Sequence, residues 1–505
     1  MSEPKRLHFL AILFQTLSSI KDWFLGLFPL IFLFGRGNFL LYSLIGFSIL
    51  AVIMIGYSMI GWYRFTYQLD DDQIRIERGI FIRKKRTISK HRIQSINLSQ
   101  NIIHRIFGLT SVQIETAGSD ADVDAKLTAV TMSDGIELRK HLKPSKQQAM
   151  LNVETEDTEN AFASDQEDTV TSQIAEKTDN QYDYDYVLEN NYPKYETPFK
   201  RLFLYGSTSG GFSAIMGIFF LIIFEVENLI PEALYESTTA WLYAQAIWAL
   251  IALFVVFLVI VWILGVFGMV IKYGDFTIVR YDEELYITRG LWEKKQLTIP
   301  LKRIQAVGIK QNLIRQPLGF ASLYVESAGG EINKTEGTRT IILPLLHKRE
   351  IQAFLEKMLP EYQLDWEQLI PAPKRAIPYY LIKSSIVPFL AMIPTAVFAL
   401  NWLWIPKAFF VLALIIGWID YRTAGSCITK EQVTLQNWLF SKETVILKHR
   451  RIQALEKKQH FLHRRHRLAT IKASILNNFM GQHYIVHALD QEQVDQIGDW
   501  YSYRK

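Results

Sequence analysis

Gly79-Ile-Phe-Ile-Arg-Lys-Lys-Arg-Thr-Ile-Ser-Lys-His-Arg-Ile-Gln-Ser-Ile96 aligns without a gap on Gly290-Leu-Trp-Glu-Lys-Lys-Gln-Leu-Thr-Ile-Pro-Leu-Lys-Arg-Ile-Gln-Ala-Val307, 211 positions later. The likeness runs on in both directions. Phe65-Thr66 falls on Phe276-Thr277, Ile74 and Ile76 on Leu285 and Ile287, Gln100-Asn101 on Gln311-Asn312, Gly108 on Gly319, and Glu115-Thr-Ala-Gly118 on Glu326-Ser-Ala-Gly329. A third copy follows 148 positions after the second, where Arg451-Ile452-Gln453 repeats Arg92-Ile93-Gln94 and Arg303-Ile304-Gln305, and Gln459 repeats Gln100 and Gln311. That copy has Arg467 in place of the glycine and lacks the Glu-Thr-Ala-Gly segment. A repeat of this length is one structural unit used three times.

Within a unit the pattern is that of short strands. Gln73-Ile-Arg-Ile-Glu-Arg78 alternates polar and apolar residues, the period of a half-buried strand, and Gly79 and Gly290 mark turns. The second and third units end in helical stretches, Lys348 to Leu359 and Gln491 to Tyr501, and the first in a shorter one, Ile136 to Leu142. Each unit is therefore predicted to be β-rich and closed by a helix.

Long apolar runs stand before each unit. A bilayer core about 30 Å thick needs about 20 largely apolar helical residues. Phe39 to Gly61, Gly210 to Phe224, Ala244 to Ile271 and Ile377 to Leu400 qualify, and the shorter Trp23 to Phe34 and Ala408 to Ile419 complete three pairs. The pairs predict three helical hairpins, with Gln15, Ser18, Ser19 and Asp22 forming the polar stripe of an interfacial helix ahead of the first. Basic residues follow each hairpin at Arg64, Lys272 and Arg422, whereas the loop Glu225 to Tyr243 has acids and no Lys or Arg. The positive-inside rule then puts the termini and all three units in the cytoplasm. Within the spans only Lys383 is ionisable, close enough to one end to snorkel, which argues against a permease.

Composition narrows the class further. The 505 residues are 49% hydrophobic and 21% charged, too apolar for a disordered or fibrous chain. One cysteine, Cys427, excludes a disulfide scaffold, a cysteine zinc site and an iron–sulfur cluster. The net charge of +5 conceals an acidic stretch from Asn152 to Asn190 with twelve acids and one base, Lys177, which predicts a disordered linker. Without it the remainder carries +16.

Two hydrophobic spans followed by a β-rich unit with an Arg-Ile-Gln centre, three times over, resembles the YdbS/YdbT-type bacterial membrane proteins with pleckstrin-homology-like domains. The resemblance covers nearly the whole chain except the acidic linker. It implies an α+β membrane protein of the bacterial plasma membrane, each unit folding as two nearly orthogonal antiparallel sheets capped by a C-terminal helix. On this reading 1–63 hold an interfacial helix and the first hairpin, 64–150 the first domain, 151–198 the linker, 199–271 and 272–372 the second hairpin and domain, and 373–419 and 420–505 the third.

The residues that could act are basic. Arg83, Lys84, Lys85 and Arg86 form one cluster with Arg92, Lys294-Lys295 and Lys302-Arg303 a second, and Lys448 to Arg451 with Arg464 and Arg465 a third. Juxtamembrane basic residues are attracted to anionic lipid by about 1 kcal/mol each. The recurring pairs Arg92 and Gln94, Arg303 and Gln305, and Arg451 and Gln453 flank an isoleucine and would share one face of a strand. There they either form a lipid or partner site or pair with acids such as Glu115 and Glu326 to hold the fold. His460, His463 and His466 are spaced by three, but the surrounding arginines disfavour a metal. No phosphate loop, nucleophile elbow or catalytic triad is visible. The sequence thus predicts a protein without enzymatic activity, cofactor or nucleic-acid partner, whose domains bind anionic inner-leaflet lipid or a membrane protein as an envelope scaffold or sensor. The alternative is a component of a transport, export or antimicrobial-peptide resistance system working with a smaller family member.

Overall fold

The structure, a computed structural model, describes residues 3–20, 39–116, 125–142, 192–209, 240–281, 283–328, 339–438, 440–476 and 481–502. The apolar runs at 23–34 and 210–224 and the acidic stretch at 152–190 lie outside them.

Each unit builds the same two antiparallel sheets. In the first domain β1 (Lys5–Arg6), β2 (Thr66–Asp70), β3 (Gln73–Arg78) and β4 (Lys84–Ser89) form one sheet, β5 (Ile93–Gln100), β6 (Leu109–Thr116) and β7 (Ala125–Thr131) run in the other, and the helix Met132–Leu142 closes the core. The second domain repeats this with β8 (Lys194–Glu196), β9 (Thr277–Arg280), β10 (Glu284–Arg289) and β11 (Lys294–Pro300), then β12 (Ile304–Asn312), β13 (Phe320–Ser327) and β14 (Arg339–His347), closed by Ile351–Met358. The third has β15 (Ile370–Pro371), β16 (Gly425–Ile428), β17 (Gln432–Trp438) and β18 (Ser441–Lys448), then β19 (Ile452–Lys458), β20 (Leu468–Ile475) and β21 (Gln482–Asp490), closed by Gln491–Ser502.

The period-two pattern explains the sheets. Ile74 and Ile76 of β3 are buried while Arg75 and Glu77 between them are not. The closing helix Ile351–Met358 buries Ile351, Phe354, Leu355 and Met358, the positions expected to face inward. The first closing helix begins four residues earlier than the sequence suggested, at Met132. Arg467, which replaces the repeat's glycine, takes the same left-handed backbone, with φ of 49° against 64° at Gly108 and 71° at Gly319. All three residues accept the same hydrogen bond, at 3.0 Å from Met132 N, 2.8 Å from Lys348 N and 3.0 Å from Gln491 N. The turn is kept at the cost of backbone strain that glycine would relieve.

The apolar segments are not placed ahead of the domains but inside them. A short strand before each hairpin pairs with the first strand after it: Lys5 with Tyr67, Lys194 with Val279, Ile370 with Ser426. The chain next to that strand also enters the core, through Leu7, Leu10 and Ala11 in the first domain, Leu202 and Tyr205 in the second, and Ala372, Ala376 and Tyr380 in the third. This moves the start of each unit upstream of the expected boundaries at 64, 272 and 420. Two- and three-residue strands carry no periodicity, so nothing in the sequence announces them.

Three described helices are long and apolar enough to cross a membrane: Val255–Tyr273, Lys374–Phe398 and Leu400–Thr423. The helix Phe39–Arg64 has the same apolar character over Ser48–Arg64. The run at 408–419, short in sequence, is extended to spanning length by its flanks. Lys383 ion-pairs across the third hairpin with Asp420 at 3.6 Å rather than reaching outward alone. The same two helices touch closely at Gly417, where a Cβ would sit 2.8 Å from the Tyr380 carbonyl oxygen and 3.1 Å from Leu381 Cα. Gly417→Ala must therefore separate two backbones, and a loss of about 1–3 kcal/mol is expected. An unchanged thermal unfolding midpoint in detergent would show the contact to be looser than this.

The domains are joined by shared sheets. β5 of the first pairs with β11 of the second, and β12 of the second with β18 of the third, so two seven-stranded sheets run through three domains.

Candidate membrane-facing site

Two loops of each domain grip its hairpin. The turn between the second and third long strands of the first sheet holds the departing helix. Arg64 Nη1 donates to the Ile80 carbonyl at 2.5 Å. In the second domain Leu291 N donates to the Ile271 carbonyl at 2.9 Å. In the third, Gln436 beside the turn donates to the Thr423 carbonyl at 2.6 Å. The connection between the first two strands of the second sheet holds the approaching chain. His104 stacks on Phe14 at 3.8 Å, Arg315 Nε donates to Thr208 Oγ1 at 2.7 Å, and the Tyr379 hydroxyl donates to the Leu462 carbonyl at 3.0 Å.

These gripping loops carry large apolar side chains that the fold leaves uncovered. At the tip of the first turn stand Phe81, 90% exposed, Trp292, 53%, and Phe440, 75%, which are the same repeat position. At the second connection Ile102, Leu313 and Phe461, again one repeat position, are all exposed. Isolated surface apolar residues need no explanation, but the same position exposed three times beside a spanning helix does. Trp292 meets Phe267 edge-on at 6.2 Å between ring centres. Phe267 lies six residues inside the end of the helix Ala240–Tyr273, about 9 Å along its axis at 1.5 Å per residue. The tip thus sits at the depth of the helix's last turns.

Gly79 and Gly290 make the first two tips possible, with φ of 120° and 100°. A Cβ there would collide with the Ile82 and Glu293 carbonyl oxygens at 1.9 and 2.1 Å. The third domain has Trp438 instead and turns through Phe440 at φ of 57°. The tip residues were present in the aligned repeat as Ile80-Phe81-Ile82 and Leu291-Trp292, but only exposure distinguishes them from core.

The basic residues fall into two groups. Arg83, Lys84 and Lys85 are exposed and follow the Phe81 tip, with Arg86 half-buried on the same strand. Arg83 and Lys85 both reach Glu77, the latter at 2.8 Å, and these two cations hold the Glu77 carboxyl below its ordinary range. Arg464 and Arg465 are exposed on the short helix Phe461–Arg465 that grips the third hairpin. Each of these therefore lies in or next to a loop bearing an uncovered apolar residue.

The Arg-Ile-Gln residues behave otherwise. The isoleucines Ile93, Ile304 and Ile452 are buried as expected, but each arginine ends a short 3-10 turn before the strand, so arginine and glutamine do not share a strand face. Arg303 crosses the seam to the first domain, 3.4 Å from Glu115 Oε2, while its Nε donates to the Ala328 carbonyl at 2.8 Å. Burial pulls Arg303 below the usual arginine range, opposed by Glu115. Glu115 is held by Ser95 at 2.6 Å and Asn97 at 3.1 Å. Arg451 reaches back to the Lys302 carbonyl at 2.5 Å, and Arg92 is exposed. Gln305 is buried and donates to the Arg303 carbonyl at 3.0 Å, whereas Gln453 is exposed and Gln94 half-buried in β5. Two of the three arginines thus serve the joints between domains. Among the described residues no group of His, Cys, Asp and Glu could hold a metal ion, and His463 and His466 pack against Tyr379.

Comparison with known proteins agrees with this organisation. The family model for the bacterial PH domain matches three times, over residues 22–146, 225–362 and 381–505. The chain is 31% identical to UPF0699 transmembrane protein YdbT of Bacillus subtilis (strain 168) over 510 aligned positions, covering 100% of this chain and 99% of that protein.

Proposed function

Since the chain belongs to the bacterial PH domain family and carries three of its domains between membrane helices, we propose that its domains lie against the inner leaflet and bind anionic lipid without catalysing a reaction. One observation carries the reading: Phe81, Trp292 and Phe440 are uncovered at one repeat position, each next to the helix that leaves the membrane. Full burial of such a side chain is worth about 1.5–3 kcal/mol, which lipid supplies and water does not. The first two tips are followed by Arg83 and Lys294, which headgroup phosphates attract at about 1 kcal/mol each, whereas Lys442 after the third is half-buried over the Trp366 ring. Three such contacts on one chain make a scaffold or sensor that reads the composition of the leaflet through several weak sites at once.

The test uses the full chain in vesicles. In a Cys427→Ser background, an environment-sensitive fluorophore is placed on a single cysteine at 81, 292 or 440. Spin-labelled lipid should quench it several-fold more than aqueous iodide. Adding phosphatidylglycerol to phosphatidylcholine vesicles should strengthen that quenching, and high salt should reverse the gain. Iodide quenching at all three positions removes the reading, and lipid quenching indifferent to anionic lipid reduces it to simple anchoring.

A further inference from the structure

Both seams between domains use one register. Lys295 faces Ser99 across the first and Glu443 faces Lys310 across the second. Residues 99 and 310, and likewise 295 and 443, are equivalent in the repeat. The second seam matches charge at this point, and an arginine from the later domain reaches the earlier one across each seam: Arg303 to Glu115, Arg451 to the Lys302 carbonyl.

The same rule leaves one half-seam open at each end of the chain. Among the described residues β4 and β19 are sheet edges. Strands β5 and β12 are mostly buried by their partners, whereas β19 is exposed at Gln453, Ala454 and Glu456 to Lys458. Unpaired strand edges recruit further strands unless charge prevents it.

A second copy of this chain is the wrong partner. Joined in the common register, Lys84 would face Lys458 and Lys85 would face Lys457, and like charges directly opposite are unfavourable. Lys85 is already bridged to Glu77 and Lys457 to Asp495, so the repulsion is greatest between Lys84 and Lys458. Arg86 would face Glu456, but that carboxylate already bridges Lys458 at 3.3 Å and Lys472 at 3.6 Å. Arg92, placed as Arg303 is, would find Ser474 at the position of Glu115 and Glu326. The edge is basic where the copy's edge is basic and lacks its carboxylate.

We infer that the β4 edge, with Lys84, Lys85 and Arg92, is a docking strand for a PH-like domain of a different membrane-bound chain, whose last-sheet edge carries carboxylates opposite the lysines and at the position of Glu115. Such a domain extends the row of three by the rule that already joins them. It is membrane-bound because both existing seams join domains that grip their own spanning helices.

The partner's chemistry can be written into this chain. In full-length protein in detergent, K457E/K458E/S474E turns the third domain's edge into the acidic edge required. Size-exclusion chromatography with light scattering should show wild type monomeric and the triple variant self-associating, at a concentration at least tenfold lower than any wild-type association. Adding K84E/K85E, which again sets like charges opposite each other, should restore the monomer. A triple variant that stays monomeric with a wild-type unfolding midpoint overturns the inference, as does wild type that associates equally well and is dispersed by K84E/K85E. Should S474E disturb β20, K457E/K458E alone carries the same expectation at weaker association.

Discussion

Replacing Arg303 by alanine should destabilise the protein by about 3–5 kcal/mol, the effect of stranding a buried carboxylate whose partner is gone. Glu115 is 3% exposed and Arg303 largely buried, so water cannot take the cation's place. The same substitution at the two equivalent positions should do much less. Arg451 loses one hydrogen bond to a carbonyl at an exposed site, about 0.5–1.5 kcal/mol. Arg92 is exposed, and its loss should fall within about 0.5 kcal/mol. Urea unfolding of the three single variants in detergent checks this order. Equal losses at all three would mean that the arginine serves its own domain rather than the seam. Arg303→Ala/Glu115→Gln should recover much of the loss, because the second change removes the stranded charge.

The second large effect is expected at Arg339. It lies 2.9 Å from Glu326 and 2.7 Å from Glu443, the latter contributed by the third domain. Tyr484 donates to Glu326 and Tyr324 to Glu443, so one guanidinium and two phenols hold one oxygen of each carboxylate across the second seam, and Glu326 Oε2 stays buried without a hydrogen bond. Arg339→Ala should cost about 3–5 kcal/mol near neutral pH. Burial already pushes the Glu326 carboxyl above its ordinary range. An acid with a raised folded value binds its proton more readily folded than unfolded. Its stabilising contribution is therefore full below the ordinary carboxylate pKa and lost as pH rises through the raised one. Without Arg339 the value rises further, so the deficit of Arg339→Ala relative to wild type should shrink as pH falls from about 8 to about 5. Glu326→Gln in the same background should reduce that slope, Glu443 being the second carboxylate that loses the guanidinium. A deficit independent of pH would place the cost in lost packing instead.

The repeat made the fold legible because it wrote the same strand pattern three times, and the buried positions Ile74, Ile76, Leu285 and Ile287 follow from it directly. The basic clusters at Arg83 to Arg86 and Arg464-Arg465 could be located from sequence for the same reason. Two things could not. Strands of two or three residues such as Ile370–Pro371 have no period to detect, and their meaning lies in pairing with a strand beyond the hairpin. The destination of Arg303 was open because its partner is 188 residues away in another domain. A triplet that recurs in sequence suggests a common role, yet Arg92, Arg303 and Arg451 meet three different surroundings set by their place in the row. Apolar tips such as Phe81 and Trp292 stand beside the turns that Gly79 and Gly290 mark, but no pattern in the sequence encodes their exposure.

The short strands before the hairpins also bear on how the protein is made. Lys5–Arg6 leaves the ribosome long before Thr66–Asp70, and Ile370–Pro371 before Gly425–Ile428, with a pair of helices in between. No domain can close its first sheet until the apolar segment between its strands has been made and the chain has come back to the waiting strand. A chain that fails to come back leaves the strand without its mate and its apolar neighbours uncovered. Each domain is in this sense a latch that shuts only on a correctly delivered pair of helices, and the shared sheets let one latch shut against the next in order of synthesis.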